Sequence, residues 1–280
     1  MKKLFLFFFA LMTLTACSPA HVELRSKGVV LKDNTVVHYL EAGQGPLLVL
    51  VHGLGGSADA WRDSMRLLAR SYRVVALDLP GYGKSDRPRA DYSIEYQASA
   101  LADFLDALEQ GKAALAGNSM GGWIAALVAL NRPEKGSHLI LVDSAGLKRD
   151  SLPPINLNPA TKEEHRLLML SLFADTSFAS DKAVNDQWEY RKNVTATVQA
   201  TLLSLKTRRP YLDERLKYIK VPTLIIWGRQ DTFTPADLAE RFNKGIAGSR
   251  LVLIDKAGHL PQVEKPMAFY RAVKGFVRSW

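Results

Sequence analysis

The sequence predicts an α/β fold with a mostly parallel central sheet, flanking helices and a helical cap insertion. Two observations predict the sheet. Short, wholly apolar segments recur along the chain, as is typical of strands buried on both faces. Between them lie segments whose apolar residues have helical spacing. Such alternation is typical of a parallel sheet wrapped by helices. A third observation predicts the cap. From residue 147 to residue 220 no strand is predicted, and this stretch is too long for a simple loop.

The elements are predicted in chain order. Segments 29–31 and 36–40 form two strands around the turn Lys32-Asp33-Asn34. Later strands are predicted at 47–51, 74–77, 113–116, 139–142, 223–227 and 251–254, and helices at 58–70, 94–108 and 120–130. The core therefore comprises residues 18–146 and 221–280, and the cap comprises residues 147–220.

Composition and charge indicate an ordinary globular protein. Of the 280 residues, 47% are hydrophobic and 23% are charged. The 37 Lys and Arg residues outnumber the 28 Asp and Glu residues and give a net charge of +9. This excess can favour an anionic membrane surface or serve solubility alone, and the scattered charges favour solubility. No aromatic-rich basic strand indicates a nucleic-acid partner, and no segment indicates an obligate protein partner.

The first residues predict export. Met1-Lys2-Lys3 is a short basic start, and residues 4–14 are apolar except for Thr13. As a helix, this run covers about 16 Å, which is too short for a hydrocarbon core of about 30 Å. It is therefore typical of a secretory signal peptide rather than of a membrane-spanning helix.

The segment that follows, Leu14-Thr15-Ala16-Cys17, resembles the lipobox of bacterial lipoproteins. The resemblance implies that residues 1–17 are a lipoprotein signal peptide and that Cys17 carries a lipid anchor, with Ser18 directing the protein to the outer membrane. Cys17 is the only cysteine, which excludes a disulfide framework and a catalytic or metal-binding cysteine. The alternative is a signal peptide cut after Ala20, which releases a soluble periplasmic or secreted protein.

Ser119 is the candidate nucleophile. It lies in Gly117-Asn118-Ser119-Met120-Gly121, a G-x-S-x-G pentapeptide between a predicted strand and a predicted helix. The flanking glycines permit the sharp turn that presents the hydroxyl, and the helix N-terminus stabilises nearby negative charge. The motif alone is moderate support, so its position between strand and helix carries the prediction.

A nucleophilic serine needs a base, and the base needs an orienting acid. Of the six histidines, only His259 follows the last predicted strand. Asp231 follows the strand at 223–227, and Asp143, which follows the strand at 139–142, is the rival acid. The carboxyl ends of parallel strands meet at one edge of the sheet, so these side chains are expected beside Ser119. We predict the triad Ser119, Asp231 and His259.

The segment His52-Gly53-Leu54-Gly55-Gly56, after the strand at 47–51, is the predicted oxyanion loop. Acyl transfer needs two N–H donors aimed at the developing oxyanion. We expect them from the backbones of Leu54 and Met120, with His52 and Gly53 as supporting residues. The alternative is a plain glycine turn.

A dinucleotide-binding interpretation of the same loop is set aside. Residues 53–58 match G-x-G-x-x-A after a strand, and Asp78 ends the next strand. However, two strands precede this loop, and a cofactor site leaves Ser119, Asp231 and His259 unexplained. We therefore expect no organic cofactor and no metal.

Five segments resemble the α/β-hydrolase superfamily over nearly all of the mature chain, and they imply the α/β-hydrolase fold and a serine hydrolase. They are residues 52–56, 78–85, 117–122, 227–231 and 258–261. Within the superfamily, residues 117–122 and 141–146 resemble the bacterial family V lipases and esterases.

The stretch Asn118-Ser119-Met120-Gly121-Gly122 is also similar to the meta-cleavage-product hydrolases, which cut carbon–carbon bonds. Those enzymes typically carry Trp after the catalytic His, where this chain has Leu260, and Asn in the oxyanion loop region, where it has Asp63. Both departures favour an ester hydrolase.

The sequence therefore predicts a carboxylic ester hydrolase, an esterase or lipase that cleaves a small-molecule or lipid-like ester through an acyl-enzyme on Ser119. The alternative is a carbon–carbon bond hydrolase of the meta-cleavage type. A catalytically inactive, membrane-tethered binding protein is the competing class. Candidates in the cap for binding an acyl chain are Leu167, Leu168, Leu170, Leu172, Phe173, Phe178 and Trp188.

Overall fold

An eight-stranded sheet lies at the centre of the protein. The computed structural model describes residues 22–109, 111–149 and 154–276, so the predicted signal peptide and Cys17 lie outside the described residues. The strands are β1 (Arg25–Val30), β2 (Val36–Ala42), β3 (Leu47–Val51), β4 (Arg73–Leu77), β5 (Ala113–Asn118), β6 (Gly136–Val142), β7 (Thr223–Gly228) and β8 (Arg250–Ile254). Their order in the sheet is β1-β2-β4-β3-β5-β6-β7-β8. Among the strands of the described residues, only β2 pairs antiparallel, with β1 and β4, so the predicted mostly parallel sheet is confirmed.

Helices cover both faces of the sheet. They are α1 (Arg62–Leu68), α2 (Ile94–Ala107), α3 (Met120–Asn131), α4 (Lys162–Leu172), α5 (Asp181–Thr207), α6 (Asp237–Gly245), α7 (Pro261–Glu264) and α8 (Pro266–Phe276). Residues of α2, α3 and α6 join the core on one face, and residues of α1 and α8 join the core on the other. Among the described residues, no helix has both the length and the apolar character needed to cross a membrane.

Strand β3 shows why the wholly apolar segments predict strands correctly. Val49 and Val51 belong to the core on one face of the sheet, whereas Leu48 and Leu50 belong to the core on the other. Successive side chains of a strand point to opposite faces, so a strand between two helical layers needs apolar residues at every position. Each fully buried Val or Leu stabilises the fold by about 1.5–3 kcal/mol.

The structure differs from the prediction at β1, which starts at Arg25 rather than at residue 29. Arg25 and Lys27 are exposed on this edge strand, and both form ion pairs with Glu41 of β2. Charged residues are typical of edge strands, and they give no apolar signal in the sequence. The predicted helix at 58–70 is likewise two elements, a 3₁₀ turn (Ala58–Trp61) followed by α1.

The predicted cap region contains α4 and α5, and residues 154–220 contain no strand. Side chains and backbone groups of this region bind the core near the carboxyl ends of the strands. Tyr190 of α5 donates its hydroxyl to Gly56 O at 2.6 Å and accepts the Gly83 N–H at 3.1 Å. Trp123 Nε1 of α3 donates to Pro210 O at 2.9 Å. These bonds hold the helical insertion over the edge of the sheet where the predicted site residues lie.

Candidate active site

The turn between β5 and α3 holds Ser119 in a strained backbone conformation. Its φ of 56° and ψ of −120° lie in a region that residues other than glycine rarely adopt, at a cost of about 1–3 kcal/mol. The Ser119 N–H donates to Val142 O at 2.9 Å, and the Ala145 N–H donates to Ser119 O at 3.0 Å. A Cβ on Gly121 would lie 2.3 Å from Val51 O, so glycine is required where α3 approaches β3. The predicted sharp strand–turn–helix is present.

His259 and Asp231 are buried and hydrogen-bonded to each other, with His259 Nδ1 2.8 Å from Asp231 Oδ2. Asp231 Oδ1 accepts the N–H groups of Phe233 and Thr234 at 2.7 and 2.8 Å. Burial by itself raises the pKa of Asp231, but the charge of His259 and the hydrogen bonds from His259 and Thr234 outweigh it and lower this pKa. Asp231 is therefore a carboxylate that holds the Nδ1–H tautomer of His259, which leaves Nε2 as the basic nitrogen.

Sequence reasoning missed the contacts that fix the His259 loop. Asn118 Nδ2 donates to His259 O at 3.0 Å, and the His259 N–H donates to Leu172 O, at the end of α4, at 2.8 Å. The Gly258 N–H donates to Glu264 Oε2 at 2.5 Å. Asn118 occupies an unspecified position of the G-x-S-x-G motif, so the sequence carries no signal for this contact. The base is thus held by the nucleophile's own strand and by the cap.

The predicted oxyanion donors lie beside the nucleophile. Leu54, Met120, Ser119 and His259 all line one cavity. Within residues 22–109, 111–149 and 154–276, neither the Leu54 N–H nor the Met120 N–H donates to a protein group. Met120 is the first residue of α3, where N–H groups have no partner within the helix. Both N–H groups are therefore available to an oxygen of a bound ligand.

His52 forms two hydrogen bonds that fix the oxyanion loop and the segment beside it. Its Nδ1 donates to Gly53 O at 2.8 Å, and its Nε2 accepts the Leu79 N–H at 3.1 Å. Burial lowers the pKa of His52, so the ring is neutral and its two nitrogens have distinct roles. The Gly53 carbonyl that anchors the loop also accepts the Gly56 N–H at 3.1 Å.

Asp143, the rival acid, does not contact His259 through a hydrogen bond. Its Oδ1 accepts the Gly228 N–H at 2.9 Å, and its side chain is fully buried. The cluster has three atoms that could bind a metal ion, and they lie within 4.8 Å of one another. They are one carboxylate oxygen each from Asp143 and Asp231 and one ring nitrogen of His259. However, His259 Nδ1 and Asp231 Oδ2 already share a hydrogen bond. The three side chains therefore fit hydrogen-bonded acid–base groups better than a set of metal ligands.

The cavity above Ser119 has a volume of about 1080 Å³ and is lined by residues from both the core and the cap. This volume is slightly above the roughly 300–1,000 Å³ typical of small-molecule sites. Of the cap residues expected to bind an acyl chain, those that line the cavity are Leu168, Leu172, Phe173 and Phe178. Leu167 is instead 52% exposed, and Leu170 and Trp188 are not among the lining residues.

Two buried polar side chains of the cap also line the cavity, and sequence reasoning found neither. Arg191 of α5 donates to Leu157 O, but among the described residues it forms no ion pair and its Nε has no hydrogen-bond partner. A Cβ on Gly55 would lie 2.0 Å from Arg191 Nη1, so the glycine permits the guanidinium to rest on the oxyanion loop. His165 is buried, and neither of its ring nitrogens has a hydrogen-bond partner in the part of the chain that the structure describes. Burial, and then the charge of Arg191, lower the pKa of His165 to about 4.

The chain is similar to known hydrolases in sequence and in fold. Residues 48–273 match the sequence profile of the alpha/beta hydrolase family. A 2-hydroxy-6-oxo-6-(2'-aminophenyl)hexa-2,4-dienoic acid hydrolase from Metapseudomonas resinovorans is 33% identical over 85% of this chain and 86% of its own length. The crystal structure of a membrane phospholipase A, a bacterial virulence factor, is 31% identical with a TM-score of 0.84, and the alignment covers 93% of this chain and 87% of that one. The meta-cleavage product hydrolase of Pseudomonas fluorescens IP01 is 27% identical with a TM-score of 0.81, over 90% of this chain and 97% of that one.

Proposed function

The chain belongs to the alpha/beta hydrolase family, and from that premise we propose that it is a serine hydrolase that works through an acyl-enzyme on Ser119. His259 Nε2 takes the proton of the Ser119 hydroxyl as Oγ attacks the carbonyl carbon of the substrate. The N–H groups of Leu54 and Met120 stabilise the resulting oxyanion. His259 then returns the proton to the leaving group, and water releases the acyl group by the reverse sequence.

We further propose that the substrate is a carboxylic ester with an apolar acyl chain. The observation that carries this proposal is the cavity of about 1080 Å³, whose lining includes Leu168, Leu172, Phe173 and Phe178. Leu260, next to the catalytic base, also lines it. A volume of this size with apolar walls suits an acyl chain, because each buried methylene contributes about 0.8 kcal/mol of binding. Among solved structures, the phospholipase A supports a lipid-like ester.

The second candidate is hydrolysis of a carbon–carbon bond in a 2-hydroxy-6-oxo-dienoate. By their names, the curated relatives favour this reaction over the ester hydrolysis that the sequence motifs predicted. One observation in the site supports it independently: Arg191 is a buried guanidinium without an ion pair among the described residues, and it lies against the oxyanion loop. A carboxylate on the substrate would supply the missing partner, because an unpaired buried charge is costly.

A substrate panel separates the two candidates. We expect kcat/KM for p-nitrophenyl esters to rise from acetate by about two- to fourfold per methylene until the cavity is filled, following the free energy of methylene burial. A phenyl-substituted 2-hydroxy-6-oxo-hexadienoate, assayed in parallel, should be cleaved at least about a hundredfold less efficiently. Preference for the dienoate, with a loss of its turnover in Arg191→Met and no loss for neutral esters, would establish the carbon–carbon hydrolase instead.

For location, we propose that the enzyme is a lipoprotein held at a membrane through Cys17, which lies outside the described residues. The support is the lipobox-like segment Leu14-Thr15-Ala16-Cys17. Two or more acyl chains anchor a protein stably, whereas a single chain is marginal. An outer-membrane anchor would place the cavity beside lipid-like esters.

This location predicts that the full-length protein fractionates with membranes and incorporates labelled palmitate, and that Cys17→Ser abolishes the label. Ser119→Ala is the matched control, because it removes the proposed nucleophile and leaves the N-terminal segment intact. Equal labelling of wild type and Cys17→Ser, or recovery of the wild type entirely in the soluble periplasmic fraction, would show an ordinary secreted hydrolase.

A further inference from the structure

Asp143 and Asp231 form a buried pair of carboxyl groups beneath His259. Asp143 is 0% exposed, and Asp231 is 5% exposed. They follow neighbouring parallel strands, β6 and β7, and the Asp143 side chain reaches across to accept the Gly228 N–H at 2.9 Å. One carboxylate oxygen of each aspartate lies within 4.8 Å of the other and of a ring nitrogen of His259. The pair is therefore part of the same cluster as the base.

The hydrogen bonds of the two carboxyl groups are unequal. Asp231 accepts three hydrogen bonds besides that of His259, from the Phe233 N–H, the Thr234 N–H and the Thr234 hydroxyl. Asp143 accepts one, and its Oδ2 is buried with no partner among the described residues that could donate to it. A buried carboxylate oxygen without a donor is costly, whereas a protonated carboxyl at that position has a hydrogen to donate.

The charges around Asp143 favour the protonated form. The titratable groups that face it are Asp231 on the turn after β7, Glu264 in α7 and, across Asp231, His259. Burial first, and then repulsion by Asp231 and a hydrogen bond to that carboxylate, raise the pKa of Asp143 well above its usual value. Asp231 is also buried, but the charge of His259 and the hydrogen bonds that Asp231 accepts outweigh burial and lower its pKa, so of the two carboxyl groups Asp143 is the one that favours the proton.

We propose that Asp143 is a positioning residue for the catalytic acid: its carboxyl group carries a proton and donates a hydrogen bond to the Asp231 carboxylate. This inference rests on the proposed triad chemistry. The bond holds Asp231 in place against His259 and makes Asp231 a weaker base. Asp231 then stabilises the imidazolium that forms during attack without taking its proton. Asp143 does not touch the substrate or the reacting atoms.

The test uses the rate at which a fluorophosphonate labels Ser119, measured from pH 5 to 9, because labelling needs the triad but not the natural substrate. Asp143→Asn replaces a neutral carboxyl by a neutral amide whose oxygen can still accept the Gly228 N–H and whose Nδ2 can donate to Asp231. We expect its pH midpoint to stay within about 0.3 units of wild type. If Asp143 were ionised, the substitution would remove a negative charge near His259 and lower the midpoint by about one unit or more.

Asp143→Ala is the second variant, because it removes the donor altogether. Asp231 is then no longer held against His259, so the labelling rate should fall about 10- to 100-fold, and it becomes a stronger base, so the midpoint should rise. If Asp143→Asn keeps the wild-type labelling rate, and both variants melt at the temperature of the wild type, the loss in Asp143→Ala reflects positioning rather than folding. A lowered midpoint in Asp143→Asn, or wild-type labelling by Asp143→Ala, overturns this inference and leaves the proposed function intact. A wild-type protein that is not labelled at all overturns both.

Discussion

Replacing Ser119 by alanine should reduce ester turnover by about six orders of magnitude, to the level that binding and the oxyanion donors alone can provide. The reason is that the acyl-enzyme cannot form without the Ser119 oxygen, and no other hydroxyl is held in that turn. The strained backbone of the turn, with φ of 56°, presents this side chain to the cavity that His259 also lines. The measurement is kcat with the best ester of the panel, on protein whose thermal melting matches wild type.

The chain offers a matched control for this variant. Ser26 Oγ lies 2.7 Å from His38 Nε2, and His38 Nδ1 lies 2.7 Å from Asp78 Oδ2, so the same three residue types meet a second time. Ser26 is exposed on the edge strand β1 and does not line the cavity. Ser26→Ala should therefore leave turnover within about twofold of wild type, because surface substitutions away from a site have small effects. Loss of activity in Ser26→Ala but not in Ser119→Ala would mean that the wrong serine has been assigned.

Asp231→Asn should lower kcat by about 10³- to 10⁴-fold with little change in KM. The amide can donate a hydrogen to His259 Nδ1, which favours the tautomer with its proton on Nε2, and that tautomer cannot accept the Ser119 proton. It also removes the negative charge that stabilises the imidazolium. The hydrogen bonds from the Phe233 and Thr234 N–H groups to Oδ1 can survive in the variant, so the loop should keep its shape.

Asp143→Asn is the matched control for Asp231→Asn, since it makes the same chemical change one strand away. It should cost no more than about threefold in kcat, because the amide can still accept the Gly228 N–H and donate to Asp231, and Asp143 forms no hydrogen bond with His259. If Asp143→Asn proved the more damaging of the two, with both proteins folded, the catalytic acid would be on the turn after β6 rather than on the turn after β7.

The sequence predicted what depends on local pattern. Strand β3 is apolar at every position because helices cover both faces of the sheet, and this pattern can be recognised in the sequence alone. The sharp turn at Ser119 follows from the glycines two residues before and two residues after the nucleophile and from the strand and helix around it. Asp231 and His259 could be placed at one edge because parallel strands share the direction of their carboxyl ends.

What the sequence did not predict depends on contacts between distant segments. The sequence does not distinguish Arg191 from any other arginine on a long helix, and only the structure shows that α5 places it against Gly55. Asn118 gives no sign that its amide reaches the backbone of His259. Asp143 could be predicted as a neighbour of the acid but not as its hydrogen-bonding partner, because that requires the spacing of β6 and β7 and the burial of both carboxyl groups.

The most direct test of the central claim is to locate the covalent adduct by mass spectrometry after wild-type protein has reacted with a fluorophosphonate. We expect one phosphonyl group per chain, on the peptide that contains Ser119, and none on Ser119→Ala. Prior incubation with a long-chain ester should slow the labelling, because the acyl-enzyme occupies the same oxygen. A wild-type protein without an adduct, or an adduct on another residue such as Ser26, would contradict the claim that Ser119 is the nucleophile.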